Sequence, residues 1–188
     1  LTIERLAAAG ALRIRPGQTI LDLPCGTGQS FDCLAPAVGP AGLVLGVDLS
    51  AGMLRQAASR AQKRGFSQVV LHHSDVHTLG LDALAAAAAR PLQIDRLHIF
   101  LGLSAFPRWE AAFEHLWALL APGGRCVVVD VHAANPGLQG RDRRGGRRGK
   151  GGDEREPAVQ IPPSEMPEVD IRSGATIKEM AESLGIPA

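Results

Sequence analysis

Apolar residues in the first 130 positions fall into short runs, separated by longer stretches where they recur every three or four residues. The runs predict strands over 19–23, 43–48, 69–72, 96–101 and 125–131. The second run is apolar on both faces, as befits a parallel strand held between two helix layers. The periodic stretches predict helices over 3–9, 51–64, 81–90 and 109–120, with a further one beginning at 30–34. Over 51–64, Met53, Leu54, Ala57 and Ala58 share one side while Arg55, Gln56, Arg60 and Lys63 face water, and Ser50 is placed as the N-cap. Breakers punctuate the pattern: Pro36, Gly39, Pro40 and Gly42 end one helix, Pro91 stops another, and Ala121-Pro122-Gly123-Gly124 closes the last. Strand and helix alternate five times, which predicts an α/β fold with a Rossmann-like, doubly wound parallel sheet.

The join between the first strand and its helix reads I-L-D-L-P-C-G-T-G-Q-S over 20–30. Glycine there lets the main chain turn tightly and lets a ligand lie against the backbone. A dinucleotide loop needs G-x-G-x-x-G, and Phe31 stands where its third glycine would be. No Lys-Ser or Lys-Thr follows, so the pattern is not a phosphate-binding P-loop either. Asp48 ends the second predicted strand 20 residues after Gly28, the separation at which a carboxylate reaches the vicinal hydroxyls of a ribose.

An acid at a strand end followed by C-G-T-G resembles motif I of the class I S-adenosylmethionine (SAM)-dependent methyltransferases, usually D/E-x-G-x-G-x-G. Pro24 replaces the first of those glycines, and its fixed φ suits the turn. Gly46-Val47-Asp48-Leu49-Ser50-x-x-Met53-Leu54 resembles the second motif of that family, and L-L-A-P-G-G-R-C-V-V-V-D its L-L-K-P-G-G signature. The resemblance covers about residues 1–135 and implies a methyltransferase that uses SAM as cofactor. It implies that Asp22 lies near the methionine amino group and that Pro24, Cys25, Gly26, Thr27 and Gly28 line the methionine and ribose with their main chain. It further implies that Asp48 binds the ribose, with Leu49 and Met53 of the same motif also at the cofactor. Asp75 then contacts the adenine amino group, Val76 packs on its ring, and Phe100 and Leu101 lie beside the transferred methyl. No residue is assigned to catalysis. His98 and His132 are the bases available if the acceptor must be deprotonated, although a mid-strand His98 fits a structural role better.

At the tip of the fourth strand, F-L-G-L stands where the family's adenine and DNA methylating branches place N/D-P-P-Y/W. Bases flipped from nucleic acid are therefore poor substrate candidates. Phe100, Leu101, Leu103, Phe106 and Trp109 form an apolar edge that suits a small apolar acceptor, or is ordinary core packing. The order of motifs is similar to that of the quinone and lipid methylating branch.

Composition sets limits on this picture. No apolar stretch is long enough to span a bilayer, and no basic-then-apolar leader precedes the fold, so a cytoplasmic location is expected. Cys25, Cys33 and Cys126 are odd in number and lack C-x-x-C spacing, which argues against a disulfide framework or a zinc ribbon. His72, His73 and His77 run from strand into loop, where the helical i, i+4 geometry of a metal pair is unavailable; no metal is expected.

Net charge is +1, but it is unevenly divided. Residues 141–150 carry six basic side chains and one acidic, while 151–188 carry three basic and eight acidic. Three segments are expected: a methyltransferase-like domain over 1–138, a disordered charged linker over 139–166, and a small strand-helix segment over 167–188. Family members continue through a further helix and two antiparallel strands, which this sequence does not show. The linker is a tether that also admits weak RNA contact through arginine and phosphate. The phrase V-D-I-R-S-G-A-T-I-K-E-M-A-E-S-L-G-I resembles the small N-terminal module of bacterial translation initiation factor two. Methyl transfer from SAM to a small, apolar acceptor is the leading expectation. A non-catalytic SAM-fold scaffold and a translation-associated RNA-binding fragment are the alternatives.

Overall fold

A computed structural model describes residues 2–130. The linker, the initiation-factor-like segment, the stretch where family members carry their closing strands, and His132 lie outside the described residues. Helices α1 (Thr2–Ala11), α2 (Phe31–Val38), α3 (Ala51–Arg64), α4 (Leu81–Ala88) and α5 (Trp109–Ala118) alternate with strands β1 (Thr19–Asp22), β2 (Leu43–Asp48), β3 (Val69–His73), β4 (Ile94–Phe100) and β5 (Leu120–Val129). The strands pair in the order β3-β2-β1-β4-β5, parallel throughout. The chain thus builds outward from β1 to β3, then returns to add β4 and β5 on the other side of β1.

Both faces of the sheet are covered, which is why β1 and β2 are buried at every position. Leu21, Leu43, Leu45, Val47, Leu97 and Ile99 point into one core, completed by Leu84 of α4 and Phe113 and Leu116 of α5. Ile20 and Val44 point into the other, with Leu12, Phe31, Leu34, Val38 and Ala57 from the α1–α3 layer. In the two central strands this is period-two alternation with no solvent face, so β1 and β2 read as nearly continuous apolar sequence up to their terminal acids.

Several element ends shift by one or two residues from the sequence expectation, and three boundaries differ for identifiable physical reasons. Helix α2 runs through Pro36 to Val38, because losing one amide donor is outweighed by burying Phe31, Leu34, Ala35 and Val38 on one face. Helix α4 stops at Ala88 rather than Arg90: Ala89 turns left-handed (φ 51°) and Arg90 N–H donates to the Ala85 carbonyl, closing the helix before Pro91. Strand β5 starts at Leu120 instead of Arg125, since Leu120 aligns with Ile94 and the intervening residues bulge before Arg125 aligns with Arg96. Helix α3 has the predicted bounds, with Ser50 Oγ accepting from Met53 N–H and Gly65 closing it at φ 69°.

Candidate functional site

The carboxyl ends of β1, β2 and β4 meet where the strand order reverses, the place where open α/β sheets bind ligands. The loop after β1 is stitched to both neighbours. Leu23 N–H donates to the His98 carbonyl of β4, while Cys25 N–H donates to the Val47 carbonyl of β2. Gly26 and Gly28 take φ values of 55° and 74°, which side-chain-bearing residues adopt only with strain. Gly28 has a second reason to be glycine, since a Cβ there would lie 2.5 Å from the Phe31 ring. Gly46 on β2 is similar, with Phe31 2.7 Å and Leu71 2.8 Å from a would-be Cβ. Phe31, which breaks the dinucleotide pattern, thus fills the space that two glycines leave open.

Asp48 is the loop's anchor. One carboxylate oxygen accepts from Gly26 N–H at 2.8 Å, and the other from Ser50 N–H at 2.8 Å. It is nearly buried, at 9% exposure. Beside it two large apolar side chains stand in solvent, Leu49 at 67% and Met53 at 42% exposure. A single exposed leucine is ordinary; here two large apolar side chains are exposed within five residues of a strand-tip carboxylate.

Below the loop lies a pair that the sequence does not reveal. Asp22 and His98 are register partners on β1 and β4, and His98 Nδ1–H donates to Asp22 Oδ1 at 2.7 Å. Both side chains are essentially inaccessible, yet Asp22 Oδ2 and His98 Nε2 have no hydrogen-bond partner. Leaving a buried polar atom unpaired costs about 1–3 kcal/mol, so each of the two atoms has capacity for a further polar partner. Cys25 lies close by, and burial, then the Asp22 and Asp48 charges, push its thiol well above the usual range. It is a packing residue with its proton held, not a nucleophile.

Phe100 is 6% exposed, stacked on His98 with ring centroids 5.9 Å apart and covered by the Arg5 guanidinium 4.6 Å from its ring centre. Leu101 follows at φ 56°, an unfavourable left-handed value, and donates its N–H to Val129 of β5. Gly102 then abuts Pro24, whose ring occupies the space a Cβ would take, so the loops after β1 and β4 are in contact. Asp130, at the end of β5, accepts from Ser104 N–H and Oγ–H and pins the far side of that second loop.

Asp75 and Val76 are set apart, beyond the edge strand β3. Asp75 is exposed, its carboxylate accepting from His77 N–H, while Val76 is buried in the α4–α5 core at 7% exposure. The neighbouring imidazoles bind backbone: His73 donates to the Leu49 carbonyl and His77 to that of Pro107. Leu103 and Phe106, half-buried, pack against the α4–α5 core. The structure therefore brings together Asp22, Pro24–Gly28, Asp48, Leu49, Phe100 and Leu101 across three adjacent strand tips, with Met53 on the first turn of α3.

Among the described residues no helix is long and apolar enough to cross a membrane. Solved structures share this fold: a SAM-dependent methyltransferase from Aquifex aeolicus superposes with a TM-score of 0.53 at 20% identity, covering 65% of this chain and 63% of that one. An O-methyltransferase from Thermotoga maritima gives 0.54 at 24% identity, covering 66% and 42%. In sequence, the demethylmenaquinone methyltransferase of Anoxybacillus flavithermus is 30% identical over 120 residues, which are 64% of this chain and 47% of that protein. The 2-phytyl-1,4-naphthoquinone methyltransferase of Thermosynechococcus vestitus is 34% identical over 119 residues, 63% of this chain and 48% of that one. The chain thus spans about half the length of these two relatives. A family model described as a methyltransferase domain matches residues 14–144, more than half of the 188. On that match, this chain belongs to the methyltransferase domain family.

Proposed function

We propose that this chain binds SAM at the carboxyl edge of its sheet and takes part in methyl transfer to a small, apolar acceptor. The observation that carries the reading is the unsatisfied Asp22–His98 pair beneath a glycine loop tied to Asp48. The residues fit the cofactor. Asp22 Oδ2 is a buried acceptor without a partner, suited to an ammonium group, and the His98 bond to Oδ1 holds the carboxylate in place for it. Asp48 uses one lone pair on each oxygen for the backbone, and a carboxylate has about four such sites, which leaves capacity for two ribose hydroxyls. Leu49 and Met53 offer the apolar surface an adenine needs.

SAM supplies a methyl group already activated by its sulfonium, so the protein's task is to hold donor and acceptor in line and keep water out. The main chain of Pro24, Cys25, Gly26, Thr27 and Gly28 presents a side-chain-poor surface for that purpose. Asp75 supplies a carboxylate for the adenine amino group, with Val76 beside it, and Phe100 and Leu101 border the transferred methyl. The relatives named for demethylmenaquinone and phytyl-naphthoquinone methylation support a quinone-like acceptor.

Leu49→Glu tests the reading without disturbing the fold, since the side chain is in solvent. Calorimetric titration with S-adenosylhomocysteine should give micromolar affinity in the wild type, about −8 kcal/mol, and at least about tenfold weaker binding in the variant. Equal affinity in the two proteins removes the adenine platform, and absence of binding in both removes the cofactor. Transfer of labelled methyl from SAM to a demethylated naphthoquinol, and not to total RNA, is the expected acceptor preference.

A further inference from the structure

At the opposite edge of the sheet, where the strands begin, a cavity of about 300 Å³ is lined by Arg13, Arg15, Arg96, Arg125, Gln18, Asp95 and the Pro122–Gly124 backbone. Four guanidinium groups face one carboxylate there. Gathering like charges around a concavity is unfavourable by itself, because each raises the cost of its neighbours. At its centre Arg96 is held by specific bonds.

Arg96 forms the floor. It is 8% exposed, and its Nε, Nη1 and Nη2 donate to the backbone carbonyls of Leu12, Asp95 and Arg13. All three acceptors are neutral, so Arg96 is a buried cation without a carboxylate at ion-pair distance among the described residues. Two of its five N–H groups remain beyond these bonds. Burial holds its pKa below the usual guanidinium value; Asp95 opposes that, while Arg125 and Arg15 add to it. Asp95 supplies one negative charge against four guanidinium groups, and its carboxylate is fixed by accepting from Thr19 N–H at 2.8 Å and from the Gln93 amide at 3.2 Å. Arg13 and Arg15 are exposed at the rim, and the Arg15 backbone is fixed by its N–H bond to Gln18 Oε1.

We propose that this cavity binds a compact phosphate-bearing anion, of the size of a pyrophosphate or the phosphates of a free nucleotide. Arginine forks match phosphate oxygens in pairs, and an anion would supply the counter-charge that Arg96 lacks. The volume is at the small end for ligand pockets, which favours a free small anion over a polymer. The site is independent of the proposed cofactor crevice, from which the four residues of β1 separate it by about 13 Å.

The test uses the full chain and sodium pyrophosphate, with ionic strength held constant by sodium chloride. Calorimetry should show saturable one-to-one binding at or below about 1 mM. Arg13→Ala/Arg15→Ala should weaken it at least about tenfold, whereas Arg55→Ala/Arg90→Ala, which removes the same charge from exposed positions elsewhere, should leave it within about twofold. Absence of saturable binding in the wild type overturns the proposal, and so does equal weakening in the two double variants, which would reduce the effect to overall charge. A short single-stranded RNA that binds more tightly than pyrophosphate, with the same loss in Arg13→Ala/Arg15→Ala, overturns the assignment to a small anion. Binding of S-adenosylhomocysteine should be the same in all three proteins, so failure at one site is distinguishable from failure at the other.

Discussion

Asp48→Asn separates two roles that a single carboxylate combines. Asp48 accepts one backbone N–H on each oxygen, from Gly26 and from Ser50, both at 2.8 Å. Hydrogen bonds to a charged acceptor contribute about 1.5–3 kcal/mol each. Asparagine keeps one oxygen and turns an NH₂ group toward the other donor, so one bond is lost outright and the remaining one loses its charge. At 9% exposure water replaces little of this, and the expected loss of stability is about 2–4 kcal/mol. A small protein has an m-value of about 1–3 kcal/mol per molar urea, so the midpoint should fall by about 1–2 M. Trp109 and Trp117 fluorescence reports the transition. A midpoint within about 0.2 M of wild type would refute the tether and leave Asp48 a surface ligand only. Cofactor affinity should fall as well, because the glycine loop is released; loss of affinity at unchanged stability would contradict the account.

Gly46→Ala should destabilise by about 1–3 kcal/mol by forcing Phe31 and Leu71 apart, measured by urea unfolding; an unchanged midpoint would mean that Phe31 has room to move. Ala89→Gly should stabilise by about 0.5–1 kcal/mol, since residue 89 closes α4 in a left-handed conformation that glycine adopts freely; a lower melting temperature would count against that geometry. Stability should also fall at alkaline pH. The folded-state pKa of the Cys25 thiol is raised by burial, so the folded chain keeps a proton that the unfolded chain loses above about pH 8.5. The contribution is therefore complete below that pH and declines as pH rises, and with no tyrosine in the chain the window is free of phenols. Urea midpoints from pH 7.5 to 10 should slope down in the wild type and less so in Cys25→Ala; identical slopes would remove the effect.

The parts of the fold legible in the sequence were those with local causes. Strand β2 is apolar on both faces, and α3 is bounded by a serine cap and a left-handed glycine, so both had the bounds the pattern predicts. The start of β5 was hidden because a bulge pairs Leu120 with β4 well before Arg125, which only the register reveals. Pro36 reads as a breaker, yet four buried neighbours hold its helix together. Within the site, glycines and strand-end acids announce themselves through spacing. The Asp22–His98 bond does not, since its partners are 76 positions apart and meet only because β4 returns beside β1. Pro24 against Gly102 depends on the same adjacency. Phe31 was legible as an exception to one motif, but its use as the filler of Gly28 and Gly46 required the packing.

A crystal structure of the full chain with S-adenosylhomocysteine tests the central claim most directly. The account predicts the adenosyl group at the carboxyl ends of β1 and β2, its ribose hydroxyls on Asp48, its ring over Leu49 and its ammonium group on Asp22 Oδ2, beside the buried Asp22–His98 bond. A ligand bound elsewhere, or an ammonium group away from that buried pair, would contradict it.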